Sequence, residues 1–265
     1  MADYEKEALT ARREILTMIY RAQTSHIASN FSAIDLMTVL FERIDLDKDK
    51  FILSAGWKAA ALYYFLWRKN RITREELDSF CQSNSKWIGL SEPIHKDIPF
   101  AGGSMGLGLP AAIGFALAQK LKRESGVIYV LMSDGELQCG TTWESFLIAA
   151  HHKLDNLIVI VDNNGLQAMG KIDEILKLPL EELVEQRKLA GWHIKNIDGH
   201  NYQRIERALT DETPLEIDYS FYDMPWLIIA NTIKGKGVSF FEGNNDWHYR
   251  QIDKNSYELA KQELG

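Results

Sequence analysis

Two short polar clusters, each following an apolar run, carry the most specific chemistry in the sequence. Asp134 stands in Ser133-Asp134-Gly135 directly after "VIYVLM", and Asp162-Asn163-Asn164-Gly165 follows "LIVIV", with Asn164 thirty positions beyond Asp134. An isolated Asp-Gly is ordinarily a turn. If the two runs are buried strands of one parallel sheet, however, both clusters lie beyond carboxyl ends, where loops and helix N-termini converge on ligands. Carboxylate and amide oxygens meeting at one point are hard donors suited to Mg²⁺ or Ca²⁺. A Mg²⁺ held by few protein ligands completes its shell with water and phosphate oxygens, so the pattern predicts a metal-bound diphosphate.

The surrounding elements fit that placement. Apolar residues at helical spacing predict helices from Tyr4 to about Arg21 and from Ile34 to Ile44, separated by a polar turn. Further helices are expected over Trp57 to Lys69, Thr73 to Cys81, Pro110 to Lys122, Thr141 to Lys153, Leu180 to Ala190 and Tyr202 to Leu209. Between them lie strand candidates Phe51 to Ser54, Val127 to Met132, Leu157 to Val161 and Trp226 to Asn231, with a weaker one over His193 to Ile197. Continuous apolar strands alternating with helices predict an α/β fold, a mostly parallel sheet with helices on both faces. No repeat or interdomain linker interrupts it, so residues 1–265 are read as a single domain. The stretch Ser83 to Gly108, rich in Gly, Ser, Pro and Asp and ending "AGGSMGLGLP", is a long functional loop. As a dinucleotide fingerprint it fails, because "HKDIPF" is a poor strand to precede it.

Composition narrows the partners. The 265 residues are 46% hydrophobic and 25% charged, with a formal charge of −7 and no long basic run, which disfavours nucleic acid and anionic membrane surfaces. Cys81 and Cys139 are far apart and outside any zinc spacing, so both are read as reduced thiols. The charged start "MADYEKEALTARREIL" lacks a signal-peptide pattern and no apolar run is long enough to span a bilayer; the expected compartment is the cytoplasm.

Taken with "TSHIASNFSAIDLMTVLF", "FILSAGWKAAALY", "AGGSMGLGLPAAIGFALA", "LAGWHIKNIDGHN" and "TIKGKGVSFFEGNNDWH", the two clusters resemble the thiamine-diphosphate-binding half of the transketolase family. The likeness is to the small N-terminal subunit of split, two-gene transketolases in particular. It covers nearly the whole chain, with the motifs in family order. The resemblance implies a thiamine diphosphate (PP-type) domain in which Asp134, Asn164 and the backbone carbonyl of Leu166 ligate Mg²⁺, or Ca²⁺ or Mn²⁺ in its place. Asn163 is the nearest competitor for Asn164, and Asp162 is assigned to supporting the loop. Gly135 and Gly103 would let backbone approach the cofactor, Met105 would bond the aminopyrimidine through its main chain, and Glu144 matches a cofactor-side glutamate at the subunit interface. His26 would face substrate oxygen, and His248, in "NDWHY", is the second catalytic candidate. The ordinary reading of His26 is a helix cap or a satisfied surface histidine. Lys234 and Lys236 in "IKGKG" are read either as a phosphate-attracting pair or as solvated charges, with the second preferred.

The activity implied is transfer of a two-carbon ketol unit from a ketose, such as a sugar phosphate, to an aldose, with the carbanion chemistry supplied by the cofactor. The family's pyrimidine-binding domain is not contained in these 265 residues. A separate pyrimidine-binding C-terminal subunit is therefore expected, in an α₂β₂ heterotetramer. Alternatives are a relative that passes the unit to a lipoyl-type carrier or acts on a 2-oxo acid, and a non-catalytic partner subunit. Departures from the family pattern keep the substrate open. Trp57 replaces one family histidine, Leu90 falls where another is usual, with His95 nearby, and Cys139 replaces a glutamate close to Glu136.

Overall fold

A computed structural model describes residues 3–177, 191–210 and 223–265. The apolar runs become β1 (Lys50–Leu53), β2 (Ile128–Ser133), β3 (Leu157–Asn163), β6 (His193–Asp198) and β7 (Trp226–Asn231), while β4 (Leu166–Gln167) and β5 (Gly170–Lys171) form a separate small hairpin. The five long strands make one sheet in the order β1-β2-β3-β7-β6, and every neighbouring pair is parallel. Helices α1 (Tyr4–Ala22) and α2 (Ile27–Arg43) precede β1. The crossovers that parallel strands need contain α3 (Ala59–Arg68), α4 (Arg74–Asp78) and α5 (Gly108–Lys122) between β1 and β2, α6 (Gly140–His151) between β2 and β3, α7 (Ile172–Ile175) between β3 and β6, and α8 (Tyr202–Thr210) between β6 and β7. Helix α9 (Lys254–Glu263) follows the last strand.

Strand side chains alternate between two cores. Phe51, Leu53, Tyr129, Leu131, Ile160 and Ile228 pack with α1, α2 and α3, whereas Ile52, Val130, Met132, Val159, Val161 and Ile229 pack with α5 and α6. Burial on both faces is why β2 is apolar at successive positions instead of every second one, as expected for a covered parallel sheet.

Among the described residues the expected elements are found within a few residues, with two differences. The second helix starts at Ile27, seven residues before the apolar repeat at Ile34, because Ser29, Asn30 and Ser32 are buried helical residues and not a turn. Asn30 shows how: its amide donates to the His26 carbonyl (2.9 Å) and accepts from the Ala61 N–H (3.0 Å). The helix read over Thr73 to Cys81 closes at Asp78, started by a reciprocal Thr73–Glu76 capping box. The helix read over Leu180 to Ala190 lies outside the described residues.

Candidate active site

Register places the two polar clusters side by side. Ser133 pairs with Asp162 across β2 and β3, so the loops beginning at Asp134 and Asn164 leave the sheet close together. Asp134 is 1% exposed; its carboxylate accepts the backbone N–H groups of Gly135 (2.8 Å) and Gly165 (2.6 Å). Among the described residues no cationic side chain pairs with it, and burial, with the charge of Asp162 added, pushes its pKa up to about 7. Asp162 is fully buried but well provided. It pairs with Lys58 Nζ (2.6 Å) and accepts Ser32 Oγ (2.5 Å), Thr232 Oγ1 and Asn164 Nδ2 (3.3 Å). Burial raises its pKa, but the Lys58 charge and the hydrogen bonds outweigh that and hold it below the ordinary value. One carboxylate is paired with a buried lysine; the other is held by main-chain donors.

Asp162 also orients Asn164. With Nδ2 held by that carboxylate, Oδ1 turns the other way and accepts the Leu166 N–H (3.1 Å). Asn163, the competing amide, instead donates to Asn231 Oδ1 (2.8 Å) on β7. A cavity of about 330 Å³ opens here, lined by Asp134, Gly135, Asn164, Leu166, Gly103, Met105, His26 and His248 together with Trp57, Lys58 and Tyr249. Glu144 is not among its walls. On α6 the buried stripe is Thr142, Ser145, Phe146 and Ala149, so Glu144 faces outward beside the exposed Leu147 and Ile148. His95 also stays away, its Nδ1 accepting the Asp97 N–H (3.2 Å).

The glycine loop is shaped by close approach. A Cβ on Gly102 would lie 2.1 Å from the Leu53 carbonyl oxygen, and Gly103 has φ +110° with Leu90 Cδ2 3.0 Å from its would-be Cβ. Glu136 braces this loop against the strands. Its fully buried carboxylate accepts Ser54 Oγ at the end of β1, the Ser133 N–H (2.8 Å) at the end of β2 and the Gly106 N–H (3.2 Å) in the loop. Burial raises its pKa, partly offset by those bonds.

His26 adopts a left-handed backbone (φ 72°) just before α2, and its N–H donates to the His248 carbonyl (2.9 Å). The two rings meet edge to face with centroids 5.0 Å apart. Burial first, then the charges of Lys58 and Lys234, lower the His26 pKa to about 4; burial, with Lys234 next, takes His248 to about 3. Both imidazoles are neutral at physiological pH. Lys234 corrects the sequence reading: it is 1% exposed, not solvated, and its pKa is lowered to about 8 by burial and by Lys58. Lys236 is partly exposed and pairs with Glu242 (3.3 Å), closer to expectation. Nothing in "IKGKG" separates the two lysines by type; only the turn geometry at Gly235 and Gly237 sends one inward.

Residues 5–265 match the family described as transketolase, thiamine diphosphate binding domain. The chain belongs to the transketolase family. It is 31% identical to one subunit of the apulose-4-phosphate transketolase of Phocaeicola vulgatus, over 96% of this chain and 90% of that one. It is likewise 31% identical to a 6-deoxy-6-sulfo-D-fructose transketolase subunit of Clostridium sp., over 99% and 96%. The solved Campylobacter jejuni transketolase superposes with a TM-score of 0.86 at 26% identity, covering all of this chain and 43% of that one. The chain thus spans nearly the whole of the transketolase subunits it matches and about two fifths of that longer transketolase. It carries the thiamine-diphosphate-binding domain of a transketolase.

Proposed function

We propose that this chain is the diphosphate-binding subunit of a two-subunit transketolase and transfers a two-carbon ketol unit from a ketose to an aldose together with a pyrimidine-binding subunit. The observation that carries the reading is Asp134: a buried carboxylate with no cationic side-chain partner among the described residues, sharing one cavity with the Asn164 amide and the Leu166 main chain. Those hard oxygen donors fit Mg²⁺, and Asp134, Asn164 and the Leu166 carbonyl would hold it. Gly135 and Gly103 admit backbone close to a diphosphate and ring, and Met105 borders the same space. Thiamine diphosphate, once bound, supplies the carbanion chemistry that breaks and makes the carbon–carbon bond.

The chain's own residues orient and desolvate. The neutral His26 and His248 offer hydrogen bonds to substrate oxygens without anchoring an anion. Trp57 walls the cavity where a polar residue would otherwise meet the sugar, which supports a ketose other than the commonest pentose phosphates. The relatives named for apulose 4-phosphate and 6-deoxy-6-sulfofructose support the same view. We place residues 1–265 in one domain, the pyrimidine-binding domain on the partner, Glu144 on the face toward that partner, the assembly as an α₂β₂ heterotetramer and its compartment as the cytoplasm.

Calorimetric titration of thiamine diphosphate into the two-subunit assembly tests the metal site. Binding is expected to need Mg²⁺, to vanish with a chelator and to weaken at least a hundredfold in Asp134→Ala. Unchanged affinity in that variant would refute the assignment.

A further inference from the structure

Lys234 has a bonding pattern that decides the state of its neighbour. An ammonium group has three donors and no acceptor. Here three acceptors surround Nζ: Asn245 Oδ1 (2.9 Å), the Leu166 carbonyl (3.4 Å) and His248 Nδ1 (2.8 Å). The Asn245 amide is itself oriented, because its Nδ2 donates to the Ala168 carbonyl (3.1 Å), leaving Oδ1 for the lysine. His248 Nδ1 must then accept, and the ring proton is left on Nε2. No described residue bonds Nε2, and His248 is one of the cavity walls.

We infer that Lys234 is a positioning residue that fixes His248 as its Nε2–H tautomer, so that His248 meets the ligand as a hydrogen-bond donor and not as a base. The inference rests on the reading of this cavity as the substrate site only for what Nε2–H donates to, namely a hydroxyl, carbonyl or oxyanion oxygen of the ketose. The tautomer itself follows from the protein's own bonds. The His248 main chain is held as well, its carbonyl accepting the His26 N–H (2.9 Å). A histidine presented in this way steadies charge that develops on a ligand oxygen, and proton removal falls to another group.

Long-range ¹H–¹⁵N correlation spectra of the full chain labelled with ¹⁵N-histidine report the tautomer directly, with His248 assigned by its loss in His248→Gln. The wild-type spectrum is expected to show Nδ1 without a proton and Nε2 with one. In Lys234→Met the fixed pattern should be lost, with Nδ1–H appearing, and Lys234→Arg should restore it. A wild-type His248 protonated on Nδ1 would overturn the inference, as would a pattern unchanged in Lys234→Met. The wild-type result does not depend on Lys234→Met, so poor folding of that variant leaves the inference open to refutation. Absence of two-carbon transfer by an assembly whose His248 shows the expected tautomer would refute the functional reading and leave the Lys234–His248 pairing standing.

Discussion

Lys58 and Asp162 form a fully buried ion pair that exists to serve its neighbours. Asp162 aims the Asn164 amide, and Lys58, which also donates to the Ser29 carbonyl (2.8 Å), neutralises the charge this requires. Removing one partner of a buried pair leaves the other charge uncompensated, which typically costs about 3–5 kcal/mol. Lys58→Met is therefore expected to lower unfolding free energy in urea by about that amount; a change below about 1 kcal/mol would mean that Asp162 is satisfied by its hydroxyl donors alone. The same residues mark what sequence makes legible. Asp134 and Asn164 stand out because each directly follows an apolar run, so strand ends and polar groups coincide in one window. Lys58 and Lys234 do not, because a lysine near glycine and alanine looks solvated until α2, β3 and the late loop close around it.

At the scale of elements, the late loop that brings Lys234 inward is tied down through Asp35. On α2, this carboxylate accepts both terminal nitrogens of Arg12 from α1 (2.9 and 2.8 Å), the Tyr202 hydroxyl (2.9 Å) and His200 Nδ1–H (2.7 Å). His200 Nε2 in turn accepts the Ile233 N–H (2.8 Å), one residue before Lys234, and that bond sets the histidine's tautomer. Burial alone would raise the Asp35 pKa, but the His200 hydrogen bond and the Arg12 guanidinium prevail and hold it at about 2, against an ordinary 3.8. A depressed carboxylate contributes stability that is present above its unfolded value and is lost as pH falls through the folded one. Asp35 should thus add about 2 kcal/mol above pH 4, declining toward pH 2. Denaturation at a series of pH values is expected to show Asp35→Asn less stable at neutral pH and less acid-sensitive between pH 4 and 2; parallel curves would contradict this. Helical and strand periodicity revealed most elements, but not the first two turns of α2. There Asn30 and Ser32 are polar for reasons of tertiary bonding, and hydrophobic spacing has nothing to register.

For the molecule as a whole, the two-sided sheet was legible because β2, β3 and β7 are apolar at nearly every position, as buried parallel strands are. The order β1-β2-β3-β7-β6 was not, since it depends on which face each crossover helix takes. Nor does sequence alone show how much apolar surface borders the cavity: Met169 is 88% exposed and Tyr249 65%. Surface of this kind fits a partner that closes the cavity. Met169→Glu is expected to weaken association with the pyrimidine-binding partner at least tenfold by analytical ultracentrifugation while leaving the chain's own melting temperature unchanged; undiminished association would remove this rim from the interface. The most direct test of the whole account is two-carbon transfer from a ketose phosphate to an aldose phosphate by the chain combined with its partner, thiamine diphosphate and Mg²⁺. Turnover by the pair, absent when either chain is assayed by itself and abolished by Asp134→Ala, is the predicted result. Transfer that persists in Asp134→Ala, or that proceeds without the partner, would contradict it.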